Sequence, residues 1–126
     1  MTRVLVLDDD SDVRITVTDI LLSEGHAVVA ARTCDEALRC VIAAPPDVIL
    51  LDLRMEEGAD GVEFARRYRA LPPPHAAVVL FTALPDAPQI AAQIGAAALL
   101  SKPFHVRELL RIVEQLGAAV GRRLSA

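Results

Sequence analysis

The stretch Val48-Ile49-Leu50-Leu51-Asp52 decides the fold of this chain. Its four consecutive aliphatic residues are typical of a short strand buried on both faces of a parallel sheet, and a carboxylate follows them directly. The same arrangement occurs near the amino terminus, where the almost wholly apolar run Arg3–Leu7 is followed by Asp8 and Asp9. We therefore predict two buried parallel strands whose carboxyl ends carry acidic side chains.

The rest of the chain alternates between strand and helix patterns. Further strands are predicted at His26–Ala31, Ala77–Phe81 and Ala97–Leu100. Helices are predicted at Ser11–Glu24, after Thr33, at Val62–Leu71, at Asp86–Ile94 and near the carboxyl terminus. The first would be capped by Asp10, Ser11 or Asp12. The apolar residues of the second helix are Ala37, Leu38, Val41 and Ile42, and those on one face of the last are Val106, Leu109, Leu110, Val113 and Leu116. This alternation predicts an α/β fold, in which helices cover both faces of a five-stranded parallel sheet.

Size and composition limit the classes of function. The 126 residues, 53% of them hydrophobic, fit one compact domain over residues 1–126. The net charge of −4 gives no basic stripe, so we expect no direct nucleic-acid partner. No apolar run reaches the roughly 18 residues that span a bilayer, so we expect no membrane association and a cytoplasmic location.

Cys34 and Cys40 lie on different faces of one predicted helix and cannot form a disulfide with each other.

Polar residues follow four of the five predicted strands. Asp8 and Asp9 follow the first strand, Asp52 the third, Thr82 the fourth, and Lys102 the fifth after Ser101. In a doubly wound sheet the ligand site lies beyond the carboxyl ends of the strands, so we expect these side chains to converge.

Three converging carboxylates repel each other unless a cation joins them, and oxygen ligands without His or Cys favour Mg²⁺. The Lys102 ammonium and the Thr82 hydroxyl suit the oxygens of a phosphoryl group in transfer. An aspartate can itself be the nucleophile and form an acyl phosphate. The simpler alternative is that the residues from Asp8 to Asp12 only cap the first helix.

Four motifs in this order resemble the signatures of response-regulator receiver domains over nearly the whole chain. They are Val4-Leu5-Val6-Leu7-Asp8-Asp9-Asp10, Asp47-Val48-Ile49-Leu50-Leu51-Asp52, Thr82-Ala83 and Ser101-Lys102-Pro103-Phe104. The resemblance implies a flavodoxin-like sheet of strand order 2-1-3-4-5 with five helices. It also implies a role in two-component signal transduction, as a phosphoprotein rather than a conventional enzyme.

The resemblance assigns roles to the site residues. Asp52 would be the phosphoacceptor. Asp9 would bind Mg²⁺ or Mn²⁺ directly, Asp8 would bind it largely through water, and the backbone carbonyl of Arg54 would be a further ligand.

By the same resemblance, Lys102 would pair with the phosphoryl group, its bond to Pro103 would be cis, and Thr82 would move toward the phosphoryl group. The donor would be a sensor histidine kinase or a histidine phosphotransfer protein. A downstream protein or a fused output domain would read the face formed by the fourth helix, fifth strand and fifth helix.

The chain departs from the family pattern in three places. Met55 is followed by Glu56 where the family usually has proline, and the interval from Asp52 to Asp60-Gly61 is about one residue longer than usual, which predicts a different loop path. The interval from Thr82 to Gly95 is about two residues shorter, which predicts a reduced or displaced fourth helix. Leu99 stands where the family usually has Tyr or Phe, so the aromatic gate of the usual switch is absent.

Two alternatives remain open at this stage. The Asp8-Asp9-Asp10 step also resembles that of a haloacid-dehalogenase-like phosphatase, with Asp8 as the nucleophile, but the later acidic motif and the cap insertion of such enzymes are not evident. The second alternative is a receiver-like interaction module that docks through its fourth helix and fifth strand and no longer takes phosphate.

Overall fold

The computed structural model describes residues 1–53 and 61–125, which contain five strands and five helices. The strands are β1 (Arg3–Leu7), β2 (Ala27–Ala31), β3 (Val48–Leu51), β4 (Ala77–Thr82) and β5 (Ala98–Ser101). The helices are α1 (Ser11–Ser23), α2 (Cys34–Ala43), α3 (Gly61–Arg69), α4 (Ala87–Ile94) and α5 (Val106–Ser125). Where the predicted bounds differ, they differ by one or two residues at the ends of helices and by one residue at the ends of strands.

The five strands form one parallel sheet in the order β2-β1-β3-β4-β5, which confirms the predicted fold class and strand order. In the centre of the sheet, Leu5 of β1 lies opposite Val29 of β2 and Ile49 of β3. The chain changes direction across the sheet between β1 and β3. Their carboxyl ends are therefore adjacent, which is where a doubly wound sheet builds its ligand site.

Each face of the sheet packs against its own set of helices. Alternate residues of a strand point to opposite faces, so Val6 contributes to one core and Leu7 to the other. The first core contains buried side chains of α1 and α5: Val17, Leu21, Leu109 and Val113. The second contains buried side chains of α2 and α3, with α4 packed against them: Ala37, Val41, Phe64 and Tyr68. Each fully buried aliphatic or aromatic side chain contributes roughly 1.5–3 kcal/mol, so these two layers stabilise the sheet.

Two predicted helix starts are confirmed. The Asp10 carboxylate accepts hydrogen bonds from the backbone N–H groups of Asp12 and Val13 at the start of α1. The Thr33 hydroxyl accepts one from Glu36 N–H, as the capping signature before α2 predicts. Each cap satisfies a backbone donor that the helix itself leaves unpaired.

Two apolar positions assigned to helix faces are exposed. Ile42 is 69% exposed and Val106 is 48% exposed, so neither belongs to the core. Val106 is the first residue of α5, whereas Ile42 directly follows the buried Val41 and so lies outside the buried face of α2. Both cysteines are free thiols, as predicted. Among the described residues, no helix combines the length and apolarity needed to cross a bilayer.

Candidate functional site

A cleft of about 420 Å³ lies at the carboxyl edge of the sheet. Its lining contains five of the predicted site residues and some of their neighbours: Asp8, Asp9, Asp10, Asp52, Thr82, Ala83, Leu84, Pro85 and Lys102. The convergence expected from the strand ends is therefore present. The first three aspartates follow β1, the acceptor candidate follows β3, the hydroxyl ends β4, and the lysine follows β5.

Asp8 is completely buried, and both of its carboxylate oxygens accept hydrogen bonds. Oδ1 accepts from the backbone N–H of Asp10 at 2.9 Å, and Oδ2 accepts from Lys102 Nζ at 2.6 Å. A buried carboxylate needs such partners because the loss of its hydration is costly. These two contacts hold the Asp8 side chain in a fixed position at the floor of the cleft.

Lys102 supplies a positive charge to the carboxylates. Its Nζ lies 2.6 Å from Asp8 Oδ2 and 3.7 Å from Asp52 Oδ2, and its side chain is 21% exposed. The backbone N–H of Lys102 donates to the carbonyl of Thr82 at 3.0 Å, which fixes the loop after β5 against the end of β4. The peptide bond to Pro103 is cis, as the resemblance predicted.

Asp52 is held by its own backbone. Its N–H donates to the Leu7 carbonyl at 2.9 Å, which continues the pairing of β1 and β3 by one residue. On its other side, Gly61 N–H donates to the Leu53 carbonyl at 3.1 Å, and a Cβ on Gly61 would lie 2.5 Å from the backbone oxygen of Asp52. The start of α3 thus approaches the backbone of Asp52 and Leu53 so closely that only glycine fits there.

Thr82 is buried at the end of β4, with 2% of its surface exposed. Its hydroxyl oxygen accepts a hydrogen bond from the backbone N–H of Leu84 at 3.3 Å. This bond is long, so the hydroxyl is held weakly on its own loop. Losing this bond costs little, so the hydroxyl can turn and donate its hydrogen to an acceptor in the cleft.

The carboxylates are arranged to share a cation. Asp8, Asp9 and Asp52 each offer an oxygen, and these three oxygens lie within 4.8 Å of one another. An all-oxygen set of this size and charge fits Mg²⁺ or Mn²⁺ better than zinc. Arg54, whose carbonyl the resemblance adds to this set, lies outside the described residues, as do Met55, Glu56 and Asp60 of the altered loop.

Two residues beside the cleft were not identified from the sequence. The guanidinium of Arg14 donates from Nη1 to the Asp8 carbonyl at 2.8 Å and so ties α1 to the loop that follows β1. Phe81, which precedes Thr82, places its ring 4.6 Å from Lys102 Nζ. Their spacing in the sequence gives no signal, because each contact depends on the direction of a long or planar side chain.

Comparisons with known proteins agree with this geometry. The chain matches the response regulator receiver domain over residues 4–114. It is 36% identical over 113 residues to the KDP operon transcriptional regulatory protein KdpE of Escherichia coli, covering 86% of this chain and 48% of that protein. It is 28% identical over 115 residues to the sporulation initiation phosphotransferase F of Bacillus subtilis, covering 90% of this chain and 91% of that protein.

A solved structure of the chemotaxis protein CheY4 of Vibrio cholerae superimposes with a TM-score of 0.78 at 28% identity, covering 92% of this chain and 98% of that one. The chain spans about half the length of KdpE but nearly all of the sporulation protein and of CheY4. The match over residues 4–114, supported by these relatives and by the shared fold, shows that the chain belongs to the receiver-domain family of two-component response regulators.

Proposed function

We propose that Asp52 of this receiver domain accepts a phosphoryl group from a phosphohistidine of a sensor kinase or phosphotransfer protein. The observation that carries the proposal is the convergence of Asp52 with Asp8, Asp9, Lys102 and Thr82 in one cleft at the carboxyl edge of the sheet. One nucleophilic carboxylate, one ammonium, one hydroxyl and an acidic cation site are the groups that phosphoryl transfer to an aspartate requires.

In the proposed reaction a carboxylate oxygen of Asp52 attacks phosphorus. An oxygen–phosphorus bond forms, the phosphorus–nitrogen bond of the phosphohistidine breaks, and the imidazole nitrogen keeps the electron pair. Lys102 offsets charge on an equatorial phosphoryl oxygen, and its present distance of 3.7 Å from Asp52 Oδ2 requires only a small movement. Thr82 donates its hydroxyl hydrogen to another phosphoryl oxygen.

Asp8 and Asp9 have the role of cation ligands in this proposal, together with Asp52. A bound Mg²⁺ or Mn²⁺ would lower the repulsion between the attacking carboxylate and the phosphoryl oxygens. Asp9 would hold the ion directly, and Asp8 would hold it largely through water. The backbone carbonyl of Arg54 is proposed as a further ligand on the family resemblance alone.

We further propose that the chain acts as a switch in the cytoplasm and is not a catalyst for other substrates. Its chemistry is its own phosphorylation and dephosphorylation within the single domain of residues 1–126. A downstream target, or an output domain of the same protein, reads the face of α4, β5 and α5. An interaction module that takes no phosphate is the competing function, because the sequence after Asp52 departs from the family pattern.

Acetyl phosphate with Mg²⁺ tests this proposal, with intact mass as the readout of phosphoryl incorporation. Wild type should gain one phosphoryl group and Asp52→Asn should gain none, because its amide lacks the nucleophilic oxygen. Asp12→Asn is the matched control, since it removes an exposed carboxylate of α1 outside the cleft and should label like wild type. Labelling that persists in Asp52→Asn and disappears in Asp8→Asn would favour the phosphatase chemistry. Wild type that never labels would favour the interaction module.

A further inference from the structure

The ammonium group of Lys102 lies over the face of the Phe81 ring. Nζ is 4.6 Å from the ring centroid, within the roughly 6 Å range of a cation–π contact. Phe81 belongs to β4, directly before Thr82, and is 1% exposed. Lys102, which is predicted to pair with the phosphoryl group, therefore packs beside Asp8 and Asp52 on an apolar ring whose face attracts its positive charge.

The Phe81 ring is itself held in place. Phe104, two residues after Lys102, packs its ring edge to face against Phe81 with a centroid distance of 5.1 Å and an interplanar angle of 74°. Phe81 also belongs to the core cluster formed with α1 and α5. Because Phe104 and the core hold the Phe81 ring, its face keeps a fixed position against which the flexible Lys102 side chain can pack.

Lys102 needs such a surface because its four-carbon side chain is flexible and part of it is exposed. Its ionic partners also change during the proposed reaction. In the unphosphorylated state its shorter contact is to Asp8, and after transfer it must face a phosphoryl oxygen on Asp52. The ring face attracts the ammonium throughout but offers no oxygen that would compete for it.

We propose that Phe81 is a positioning residue that keeps the Lys102 ammonium at the acceptor carboxylate through its aromatic face. The inference rests on the proposed function, in which Lys102 meets the phosphoryl oxygen while Asp52 forms its bond to phosphorus. The competing explanation is that Phe81 only fills the core. A filler depends on its shape and apolar surface, whereas a cation–π partner also depends on the negative potential of the ring face.

Fluorinated phenylalanines at position 81 separate these two explanations. Site-specific incorporation of 4-fluoro-, 3,5-difluoro- and 3,4,5-trifluorophenylalanine withdraws charge from the ring face in steps while its shape changes little. We expect the rate of phosphorylation by acetyl phosphate to fall with each fluorine, reaching roughly a tenfold loss for the trifluoro ring. The same series at Phe64, which is buried on the opposite face of the sheet and stacks on Tyr68, is the matched control and should leave the rate unchanged. A flat series at position 81 would show that the ring is only a filler.

A second readout does not depend on phosphorylation. Lys102 is the only lysine of the chain, so lysine labelled with ¹³C at the ε carbon gives one assignable side-chain signal. In the metal-free, unphosphorylated protein, the ring current of Phe81 should move the attached protons upfield. Phe81→Leu should abolish this shift and Phe64→Leu should retain it, with both variants checked for folding by their thermal unfolding.

The phosphorylation rate and the Lys102 signal test two statements separately: that Asp52 takes phosphate, and that Phe81 positions Lys102. An upfield Lys102 signal that is lost in Phe81→Leu supports the contact even if wild type takes no phosphate, in which case only the proposed function fails. A wild type that is phosphorylated but has an unshifted Lys102 signal overturns the inference alone.

Discussion

Lys102 Nζ lies 2.6 Å from Asp8 Oδ2 but 3.7 Å from Asp52 Oδ2, so the ammonium is bound more closely to the proposed metal ligand than to the proposed acceptor. A cation bound by the carboxylates would be repelled by this ammonium, which occupies one of the oxygens of Asp8. We therefore expect two opposing effects of Lys102: it should weaken metal binding in the resting state and assist phosphoryl transfer in the proposed reaction.

Lys102→Met separates these two effects. We expect Mg²⁺ affinity to rise by about tenfold because a neighbouring positive charge is removed. We expect phosphorylation by acetyl phosphate to slow by roughly a hundredfold because a charged oxyanion partner is lost. Isothermal calorimetry and stopped-flow phosphorylation measure the two quantities. Arg107→Met, which removes an exposed positive charge of α5, is the control for net charge. Equal Mg²⁺ affinity in wild type and Lys102→Met would contradict the opposing roles.

Asp9→Asn tests the cation site directly. The three carboxylate oxygens that lie within 4.8 Å of one another lose one charge in this variant. We expect Mg²⁺ and Mn²⁺ affinity to fall by at least about tenfold, with phosphorylation falling in parallel at low metal concentration. Asp12→Asn, on the exposed side of α1, should bind as wild type does. The metal site would have to be placed elsewhere if calorimetry gave the same affinity for Asp9→Asn and wild type.

Gly61→Ala should disturb the acceptor through its backbone. The added Cβ would lie 2.5 Å from the Asp52 carbonyl oxygen and 2.8 Å from Leu53 Cα, so the backbone of these two residues must shift. We expect unfolding to become easier by roughly 1–3 kcal/mol and phosphorylation to slow by more than the metal affinity changes. Gly25→Ala is the control because Gly25 has a φ of 83° but open space around it. Gly25→Ala should lower the free energy of unfolding and leave the phosphorylation rate unchanged. Equal rates in both variants would show that the loop accommodates the methyl group.

The sequence predicted the sheet and the site for one reason: both depend on where buried strands end. Val48–Leu51 and Arg3–Leu7 identify central strands by composition alone, and the residue after each of them must reach the carboxyl edge. Asp8, Asp9 and Asp52 could therefore be grouped before any distance was known.

Side-chain direction was not predictable in the same way. Nothing in the spacing shows that Lys102 is closer to Asp8 than to Asp52, or that the Phe81 ring lies beneath it. Helical periodicity also placed Ile42 on a core-facing side, where it is in fact 69% exposed. Ile42 directly follows the buried Val41, so the buried face of α2 ends between these two neighbours, and periodicity does not locate that boundary to one residue.

The two thiols should differ in reactivity. Cys34 is buried, and burial, the largest cause, raises the pKa of its thiol above 9.0, whereas Cys40 is partly exposed beside the edge of β2. Because the thiolate is the reactive form, Cys34 should react more slowly than Cys40 with a disulfide reagent at pH 8 in the folded protein. Peptide mapping after partial labelling measures the ratio, and Cys40→Ser should remove the fast phase. A fast phase that survives in Cys40→Ser would mean that Cys34 is accessible.

The raised pKa of the Cys34 thiol also makes the free energy of unfolding depend on pH. A thiol whose pKa is raised in the folded state contributes its stability fully below the pKa of the unfolded chain and loses it as pH rises through the folded pKa. The loss should therefore begin near pH 9, and Cys34→Ala should flatten this part of the stability curve. A curve of unchanged slope in Cys34→Ala would assign the alkaline loss to other groups.

We expect phosphorylation to draw the Thr82 hydroxyl away from its long bond with Leu84 N–H, because a charged phosphoryl oxygen accepts a strong hydrogen bond from the hydroxyl hydrogen. The signal must then pass without an aromatic gate. Leu99 pairs with Leu80 in the sheet and packs against the same core cluster as Ile90 and Ile94 of α4. A leucine that changes environment moves less apolar area than a ring would, so the two states should differ by less free energy.

We therefore predict that α4, rather than β5, carries the change. Amide exchange with and without beryllofluoride should show its largest differences in Ala87–Ile94, and Thr82→Ala should lose them because it has no hydroxyl to move. Thr82→Ser keeps the hydroxyl and is the matched control. Leu99→Tyr should enlarge the response, because a ring buries more area in one of the two states. Large differences confined to Leu99 and its strand, with α4 unchanged, would place the switch in β5 instead.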